Sequence, residues 1–180
     1  ILYSNDFGAT YIIQSTPTLE DLNDVVFLDD MNGVAIGNKG TILYTIDAGL
    51  VWKDISLTNV EDMKDLKCAS VTDNTTIYVV GNRGTVLQLT LNVNNWLISK
   101  VPIIKQIDAI SSYEIYENLN ACAFNLITKK LSIGGDNLIL FYIDLNNNNV
   151  RFLENDPSIS ALGLFNTIRT MENISADVIF

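Results

Sequence analysis

Short apolar runs alternate along the chain with clusters of Gly, Asn and Asp, and this pattern predicts strands joined by tight turns. The clearest stretch predicts four strands, at about 24–29, 33–37, 41–46 and 50–54. No apolar run approaches the roughly 20 residues that a transmembrane helix needs. The pattern therefore predicts an all-β protein without a membrane span.

The same pattern returns at a fixed interval. Residues 37–43 read GNKGTIL, and residues 81–87, 44 positions later, read GNRGTVL. Each copy leads to a tryptophan, Trp52 or Trp96, fifteen residues after its first glycine. Four strands in a period of about 40–45 residues are typical of a β-propeller blade. The predicted turn glycines of the two copies are Gly37, Gly40, Gly81 and Gly84.

Weaker copies flank these two. Residues 1–4 (ILYS) match residues 42–45 (ILYT), and a degraded copy begins at Gly134. Further strands are predicted at 66–71, 76–81, 85–90, 95–101, 119–126, 130–134, 138–143 and 149–153, with an insertion at 105–117. The predicted division is the end of a blade at 1–15, blades at 22–56, 64–102 and 105–155, and the start of a blade at 158–180.

Two hairpin tips share the form Ser/Thr-x-Asp-x-Gly-x-x-aromatic. An Asp at the head of such a hairpin accepts hydrogen bonds from its own turn, Gly takes a positive φ, and the ring packs between neighbouring sheets. We therefore expect structural roles for Ser4, Asp6, Gly8 and Tyr11, and for Thr45, Asp47, Gly49 and Trp52. The later tips at 89–96 and 142–149 lack the full pattern, and there Asn offers the left-handed conformation in place of Gly.

This tip motif resembles the Asp-box, or bacterial neuraminidase repeat, of sialidases and other propellers. The stretch 24–52 resembles the repeat of photosystem II assembly-factor-like propellers, a family that also contributes blades to bacterial surface and phage virion proteins. The resemblance implies a β-propeller of four-stranded antiparallel blades, with about four blade-equivalents present. It also implies protein binding, and it implies no substrate.

Half-blades at the two ends suggest how such a ring closes. The chain opens with the third and fourth strands of a blade, and 166–171 and 175–180 are expected to be first and second strands. Their pairing would close a ring of four blades, at the low end of the range of roughly 4–8. An excerpt of a larger propeller is the favoured alternative.

The net charge of the chain limits the classes of partner that we expect it to bind. The 21 acidic residues outnumber the 11 basic ones, giving a net charge of -10. Such a chain repels phosphate backbones, so nucleic acid is not expected as a partner. An anionic surface of this kind favours solubility and suits Ca²⁺ or a basic protein.

The two cysteines and the absence of histidine bear on the redox compartment of the protein and on the reactions that it could catalyse. Cys68 and Cys122 occupy near-equivalent places in successive repeats, on separate sheets, so no disulfide is expected between them and the redox compartment stays open. The chain has no histidine, the commonest general base and zinc ligand. Without histidine to activate them, both cysteines are expected to act as small core residues.

No catalytic constellation is expected. A sialidase needs an arginine cluster that grips a carboxylate, yet only Arg83, Arg151 and Arg169 are present, and Arg83 repeats the turn residue Lys39. The adjacent acids Asp29-Asp30 and Glu61-Asp62 are expected to be exposed turn residues, since glycosidase carboxylates face each other across a cleft.

The sequence supports a metal site no better than it supports a catalytic site. Asp136, Asp144 and residues 146–149 supply oxygen atoms, but their spacing does not fit a calcium loop. We therefore predict no metal and no cofactor.

Together these patterns predict a non-enzymatic structural or protein-interaction module. We expect its partners to be other proteins of a larger assembly, with an extracellular or virion component such as a phage tail or capsid appendage favoured. The first alternative is a photosystem-type assembly factor that binds a protein client. The second is a sialidase-like hydrolase fragment, and nothing in the sequence supports a carbohydrate ligand.

Overall fold

The computed structural model describes residues 1–59, 64–93, 95–106, 112–137 and 139–153. This part of the chain contains three four-stranded antiparallel sheets and two two-stranded hairpins. Its single helical element is the 3-10 turn Asn38–Gly40. The predicted all-β fold of propeller blades is confirmed.

Each strand of a sheet pairs with the next strand in the chain. The first hairpin is β1 (Leu2–Tyr3) and β2 (Ile12–Ile13), and the first blade is β3 (Leu22–Phe27), β4 (Gly33–Gly37), β5 (Ile42–Thr45) and β6 (Lys53–Asp54). The second blade is β7 (Leu66–Val71), β8 (Thr76–Gly81), β9 (Thr85–Asn92) and β10 (Asn95–Lys100). The second hairpin is β11 (Ile104–Gln106) and β12 (Ser112–Glu114), and the third blade is β13 (Leu119–Asn125), β14 (Lys130–Gly135), β15 (Leu140–Asp144) and β16 (Asn149–Phe152).

Strand bounds depart from expectation in the first blade. Its fourth strand, predicted at 50–54, holds only Lys53 and Asp54, because the residues before it form a hydrogen-bonded turn. Its first strand begins at Leu22 and ends at Phe27, two residues earlier than predicted at each end. The division into blade segments stays a prediction, and 158–180, with both expected closing strands, lies outside the described residues.

The second blade is buried on both faces. Alternate residues of β8 point to opposite sides of the sheet, as the two-residue period of a strand requires. Ile77 and Val79 join an apolar cluster with Val34 and Ile36 of the first blade. Tyr78 and Val80 join a second cluster with residues of the third blade, such as Phe141. Stacked blades thus bury apolar faces against one another.

Glycine at the end of each blade's second strand lets the chain entering the first strand pass close by. A β-carbon there would overlap a backbone carbonyl oxygen. The pairs are Gly37 with Asp21, Gly81 with Asp65, and Gly135 with Asn118. The residue after each glycine donates its N–H to the same oxygen, at 2.9 Å, 2.8 Å and 2.9 Å respectively. These contacts fix where each blade begins.

Gly37, a predicted turn glycine, has an extended φ of -162°, so close approach of the backbone is what requires glycine there. The third copy was expected to begin at Gly134. The register pairs Leu119 with Gly135, as it pairs Leu66 with Gly81, so Gly135 is the equivalent residue.

The prediction that Cys68 and Cys122 do not form a disulfide was also wrong. They lie on separate sheets, but β7 and β13 run side by side as the first strands of neighbouring blades. The two α-carbons are 5.9 Å apart and the sulfur atoms are joined in a disulfide. Separate sheets of a propeller come closest at their first strands, which the sequence argument overlooked.

Candidate functional site

The first Asp-box is a closed set of hydrogen bonds. Asp6 accepts from the Thr10 N–H at 2.8 Å and from the Thr10 hydroxyl at 2.6 Å. Ser4 donates its hydroxyl to Asp6 at 2.8 Å and accepts from the Gly8 N–H at 2.8 Å. Gly8 has a φ of 85°, in the left-handed region that favours glycine. The side chains and backbone of the turn therefore satisfy one another.

These bonds change the acidity of Asp6. The Thr10 hydroxyl, the Thr10 N–H and the Ser4 hydroxyl all donate to its charged form and lower its pKa from 3.8 to about 2. Donors that stabilise a carboxylate disfavour its protonation. Asp6 is therefore a fixed hydrogen-bond acceptor and is poorly suited to donate a proton.

The second Asp-box repeats this geometry. Asp47 accepts from the Val51 N–H at 2.9 Å and from the Thr45 hydroxyl at 2.7 Å, and these bonds lower its pKa. Thr45 in turn accepts from the Gly49 N–H at 2.9 Å. Gly49 has a φ of 84°. The two tips share these bonds, except that Val51 has no hydroxyl to match the one that Thr10 donates to Asp6.

The aromatic residues of the two boxes differ. Trp52 is buried, and its ring meets that of Phe27 edge-on at 6.2 Å between centroids. Tyr11 was expected to pack between sheets in the same way, but it is 61% exposed. That expectation was wrong because β1 and β2 form a two-stranded hairpin, not a full blade.

Gln14 ties the first hairpin to the first blade. Its side-chain oxygen accepts a hydrogen bond from Trp52 Nε1 at 3.1 Å. The equivalent buried Trp96 Nε1 has no hydrogen-bond partner among the residues that the structure describes. Backbone bonds identify Ile55 as the counterpart of Gln14, since Gln14 N donates to Ile1 O as Ile55 N donates to Ile42 O. Ile55 packs against the cluster that holds Trp96.

The tips of the second and third blades each hold a residue with a left-handed φ, without the full motif. These residues are Val93 and Asn148, each with a φ of 58°. Asn was expected to take this role in both later tips. Val93 takes it in the second blade, where a β-branched residue is strained.

The Gly-Asn-basic-Gly turns place Lys39 and Arg83 in the left-handed conformation, with φ values of 52° and 57°. Each turn docks on the next linker, since Gly40 N donates to Lys64 O and Gly84 N donates to Glu117 O, both at 2.7 Å. Lys39 pairs with Glu20 at 2.9 Å. Within the described residues, Arg83 has no ion-pair partner.

The acidic residues considered as catalytic or metal-binding candidates accept hydrogen bonds within their own turns. Asp29 accepts from the N–H groups of Met31 and Asn32 at 2.8 Å and 2.7 Å, and hydrogen bonds from Asn32 and Met31 lower its pKa. Asp144 accepts from the Asn146 N–H at 3.0 Å. Glu61 and Asp62 lie outside the described residues.

Asp136 makes polar contacts within the third blade. It accepts from the side-chain amides of Asn118 and Asn120 at 2.9 Å and 2.8 Å. Across the described ranges, no group of three or more His, Cys, Asp or Glu side chains is placed to hold a metal ion.

A groove of about 620 Å³ lies beside the second blade, at its Gly-Asn-basic-Gly turn. Residues from separate parts of the chain form its walls: the linker before β7, the turn between β8 and β9, the end of β10, and the segment around β12. Its polar side chains include Lys64, Arg83, Lys100, Glu114 and Tyr116. Leu57 and Pro102 add apolar surface.

The fold holds Arg83 at this groove. Arg83 N donates to Asn118 Oδ1 at 3.3 Å, and a β-carbon on Gly84 would overlap the carbonyl oxygen of Ile115. The turn is therefore fixed against the linker of the next blade. Arg83 was expected to be a solvated turn residue, and it is exposed, but it also lines the groove.

The electrostatic character of the groove differs from that of the chain as a whole. Among the described residues, three cationic side chains and one carboxylate line it, although the chain carries a net charge of -10. Converging charges of one sign in a concave site attract ligands of the opposite sign. The arrangement suits binding of an anionic group.

The family model described as photosynthesis system II assembly factor YCF48 matches residues 8–132, well over half of the chain. The chain belongs to the YCF48 family. A search of curated proteins finds no significant match.

One solved structure that resembles this YCF48 family member is "YCF48 bound to D1 peptide". The two are 19% identical with a TM-score of 0.61, over 78% of this chain and 41% of the other. At that identity the likeness shows the propeller fold. The chain thus spans less than half the length of the matched structure.

Several residues of this YCF48 family member escaped the sequence analysis. Gln14 was missed because it lies in a linker without a motif. Lys64, Lys100 and Tyr116 were missed because only the folded chain brings them to the groove. The difference between the two basic turns is likewise structural: in the part of the chain that the structure describes, Lys39 has an acidic partner and Arg83 has none.

Proposed function

We propose that the chain is a non-enzymatic binding propeller that holds an extended, acidic segment of a client protein in the groove of its second blade. Membership of the YCF48 family supports this role, as does the likeness to the solved structure of YCF48 bound to D1 peptide. The observation that carries the proposal is the convergence of Lys64, Arg83 and Lys100 in one groove of an otherwise acidic chain.

The groove chemistry favours a peptide as the ligand. Cationic side chains attract carboxylates, while Leu57, Pro102 and the ring of Tyr116 offer apolar contact to the atoms between them. Glu114 repels a peptide whose residues are all acidic, so we expect the preferred segment to alternate acidic with apolar residues. A nucleic acid, with its continuous charge, fits this pattern less well.

An assembly factor is favoured over a virion component. Both are protein-binding roles, but the comparisons support the first and give no support to the second. A sialidase needs several arginines at one site, whereas Arg83 and Arg151 belong to different blades and Arg169 lies outside the described residues. In the described part of the chain, no helix has the length and apolarity needed to cross a membrane.

The proposal is tested by selecting ligands from a displayed library of random dodecapeptides. Binding of the selected peptides to the chain is then measured by fluorescence anisotropy. We expect selected peptides to be rich in Asp and Glu and to bind more weakly as salt rises. A collection without acidic enrichment contradicts the proposed ligand class.

Two charge-matched variants locate the binding. Arg83→Gln removes a positive charge from the groove, and Lys39→Gln removes one from the equivalent turn of the first blade. We expect Arg83→Gln to weaken binding by about fivefold, or about 1 kcal/mol, and Lys39→Gln by less than about twofold. Equal losses in the two variants would mean that net charge, not the groove, attracts the peptide.

A further inference from the structure

The hairpin tips of the blades lie together at one end of the sheets. In a blade of four antiparallel strands, the turn between the first and second strands and the turn between the third and fourth strands are at the same end. A backbone hydrogen bond joins these two turns in each blade. The donor and acceptor atoms are Ala48 N and Met31 O, Leu91 N and Thr75 O, and Leu145 N and Lys129 O, at 3.0 Å, 2.8 Å and 2.9 Å. The tips and the groove of the second blade are therefore at opposite ends.

We call the tips of the first hairpin and of the first two blades the tip face. It consists of residues 4–11, 28–32, 46–52 and 72–75 and of Val93. Large apolar side chains of this face are exposed to solvent, although the chain has buried apolar clusters that could hold such residues. The exposed side chains are Phe7, Met31, Leu50, Val51 and Val93.

Phe7 is the clearest case of an apolar side chain that the fold does not need. It is fully exposed, and its φ of 56° is a left-handed conformation that phenylalanine adopts at a cost. The equivalent residue of the second Asp-box is Ala48, which has a φ of 59°. An alanine therefore suits the turn, and neither packing nor turn geometry accounts for the ring of Phe7.

The tip face is also negatively charged. Its residues include no lysine or arginine and five carboxylates, those of Asp6, Asp29, Asp30, Asp47 and Asp73. Hydrogen bonds from their own turns lower the pKa of Asp6, Asp29 and Asp47, so these side chains stay charged at neutral pH. Lys53, the first residue of β6, also helps to lower the pKa of Asp47, but one lysine leaves the face negative. Exposed apolar side chains and fixed carboxylates thus share one surface.

We propose that the tip face binds a basic, amphipathic segment of a second partner protein, with Phe7 and Leu50 as its apolar anchors. Apolar anchors supply binding energy when a partner excludes water from them, and carboxylates attract the lysine and arginine residues of a partner. A membrane surface fits less well, because anionic lipids would repel the five carboxylates. This site goes beyond the function proposed above, since it lies at the other end of the blades and takes a ligand of opposite charge.

A synthetic amphipathic peptide of Lys, Leu and Ala serves as the probe, and a peptide with Ser in place of every Leu is its matched control. Binding of each labelled peptide to the chain is measured by fluorescence anisotropy. We expect the leucine peptide to bind at least about fivefold more tightly than the serine peptide, and more weakly as salt rises. Equal binding of the two peptides, or no binding of either, would overturn the proposal. Neither result bears on the groove, because its proposed ligand is acidic.

Two variants that each remove one exposed apolar side chain locate the binding. Leu19 is as exposed as Phe7, but it lies in the linker before β3, where its neighbour Glu20 pairs with Lys39 at the groove end of the first blade. We expect Phe7→Ala to weaken binding of the leucine peptide by about fivefold and Leu19→Ala by less than about twofold. Circular dichroism should show that both variants fold, since Ala48 already holds the equivalent turn. Equal losses in the two variants would overturn the proposal.

A vesicle assay separates a protein partner from a membrane. The chain is sedimented with phosphatidylcholine vesicles, whose zwitterionic headgroups do not repel the carboxylates. We expect the chain to stay in the supernatant. Cosedimentation that Phe7→Ala abolishes would assign the tip face to a membrane surface and would overturn the proposal of a protein partner.

Discussion

Trp52 Nε1 donates a hydrogen bond of 3.1 Å to the side-chain oxygen of Gln14 and so joins the first blade to the preceding hairpin. The indole is buried, and a buried donor without a partner costs about 1–3 kcal/mol. We expect Gln14→Leu to lower the free energy of unfolding by about 1–2 kcal/mol in urea denaturation. Gln14→Glu keeps an acceptor oxygen and serves as the control. If leucine and glutamate have the same effect, the hydrogen bond is not what stabilises this junction.

The reverse change is available at the next interface. Ile55 occupies the place of Gln14, and Trp96 Nε1 is buried with no partner in the described ranges of the chain. We expect Ile55→Gln to supply the missing acceptor and to offset the loss of apolar burial, leaving stability within about 0.5 kcal/mol of wild type. Ile55→Ala removes the apolar contact alone and should cost about 2 kcal/mol or more. Equal losses of stability in the glutamine and alanine variants would show that Trp96 Nε1 gains no stabilising acceptor from position 55.

Val93 is strained at the tip of the second blade. Its φ of 58° is unfavourable for a β-branched residue, and its side chain is 87% exposed, so little packing compensates. We expect Val93→Gly to raise the free energy of unfolding by about 1 kcal/mol, measured in urea. Val93→Asn should give a smaller gain, because Asn148 holds the same conformation in the third blade. A loss of stability in both variants would show that the tip is not strained.

Acid titration tests the first Asp-box. Because the folded pKa of Asp6 is about 2 and the ordinary value is 3.8, its stabilising contribution is present above about pH 4 and is lost as the pH falls towards 2. Carboxyl carbon NMR should give a midpoint near 2 for Asp6. Thr10→Val, which removes the hydroxyl donor, should raise that midpoint. A wild-type midpoint at 3.8 would contradict the hydrogen bonds described.

The sequence predicted those features that repeat in register. Matching turns at residues 37–43 and 81–87 predicted blades of four strands, because identical local sequence in a period forms identical local structure. The Asp-boxes are also local features, since Asp6 and Asp47 accept hydrogen bonds from residues of their own turns. Local motifs carry their own hydrogen-bond partners.

Features that depend on contacts between blades were not predictable. Cys122 lies one place beyond the equivalent of Cys68, since Ala121 holds that place opposite Gly134, and the two cysteines look equivalent when only their spacing to the following glycines is compared. The groove likewise joins segments that are far apart in the chain. The exposure of Tyr11 follows from its two-stranded hairpin, which a motif shared with Trp52 cannot reveal.

The most direct test of the proposed peptide-binding groove is site-specific photocrosslinking of a selected acidic peptide. Tyr116 lines the groove and Tyr113 does not, although both are exposed and belong to the same segment. We predict that Tyr116→p-benzoylphenylalanine crosslinks the peptide and that Tyr113→p-benzoylphenylalanine does not. Crosslinking from position 113 but not from position 116, or from neither, would contradict the account.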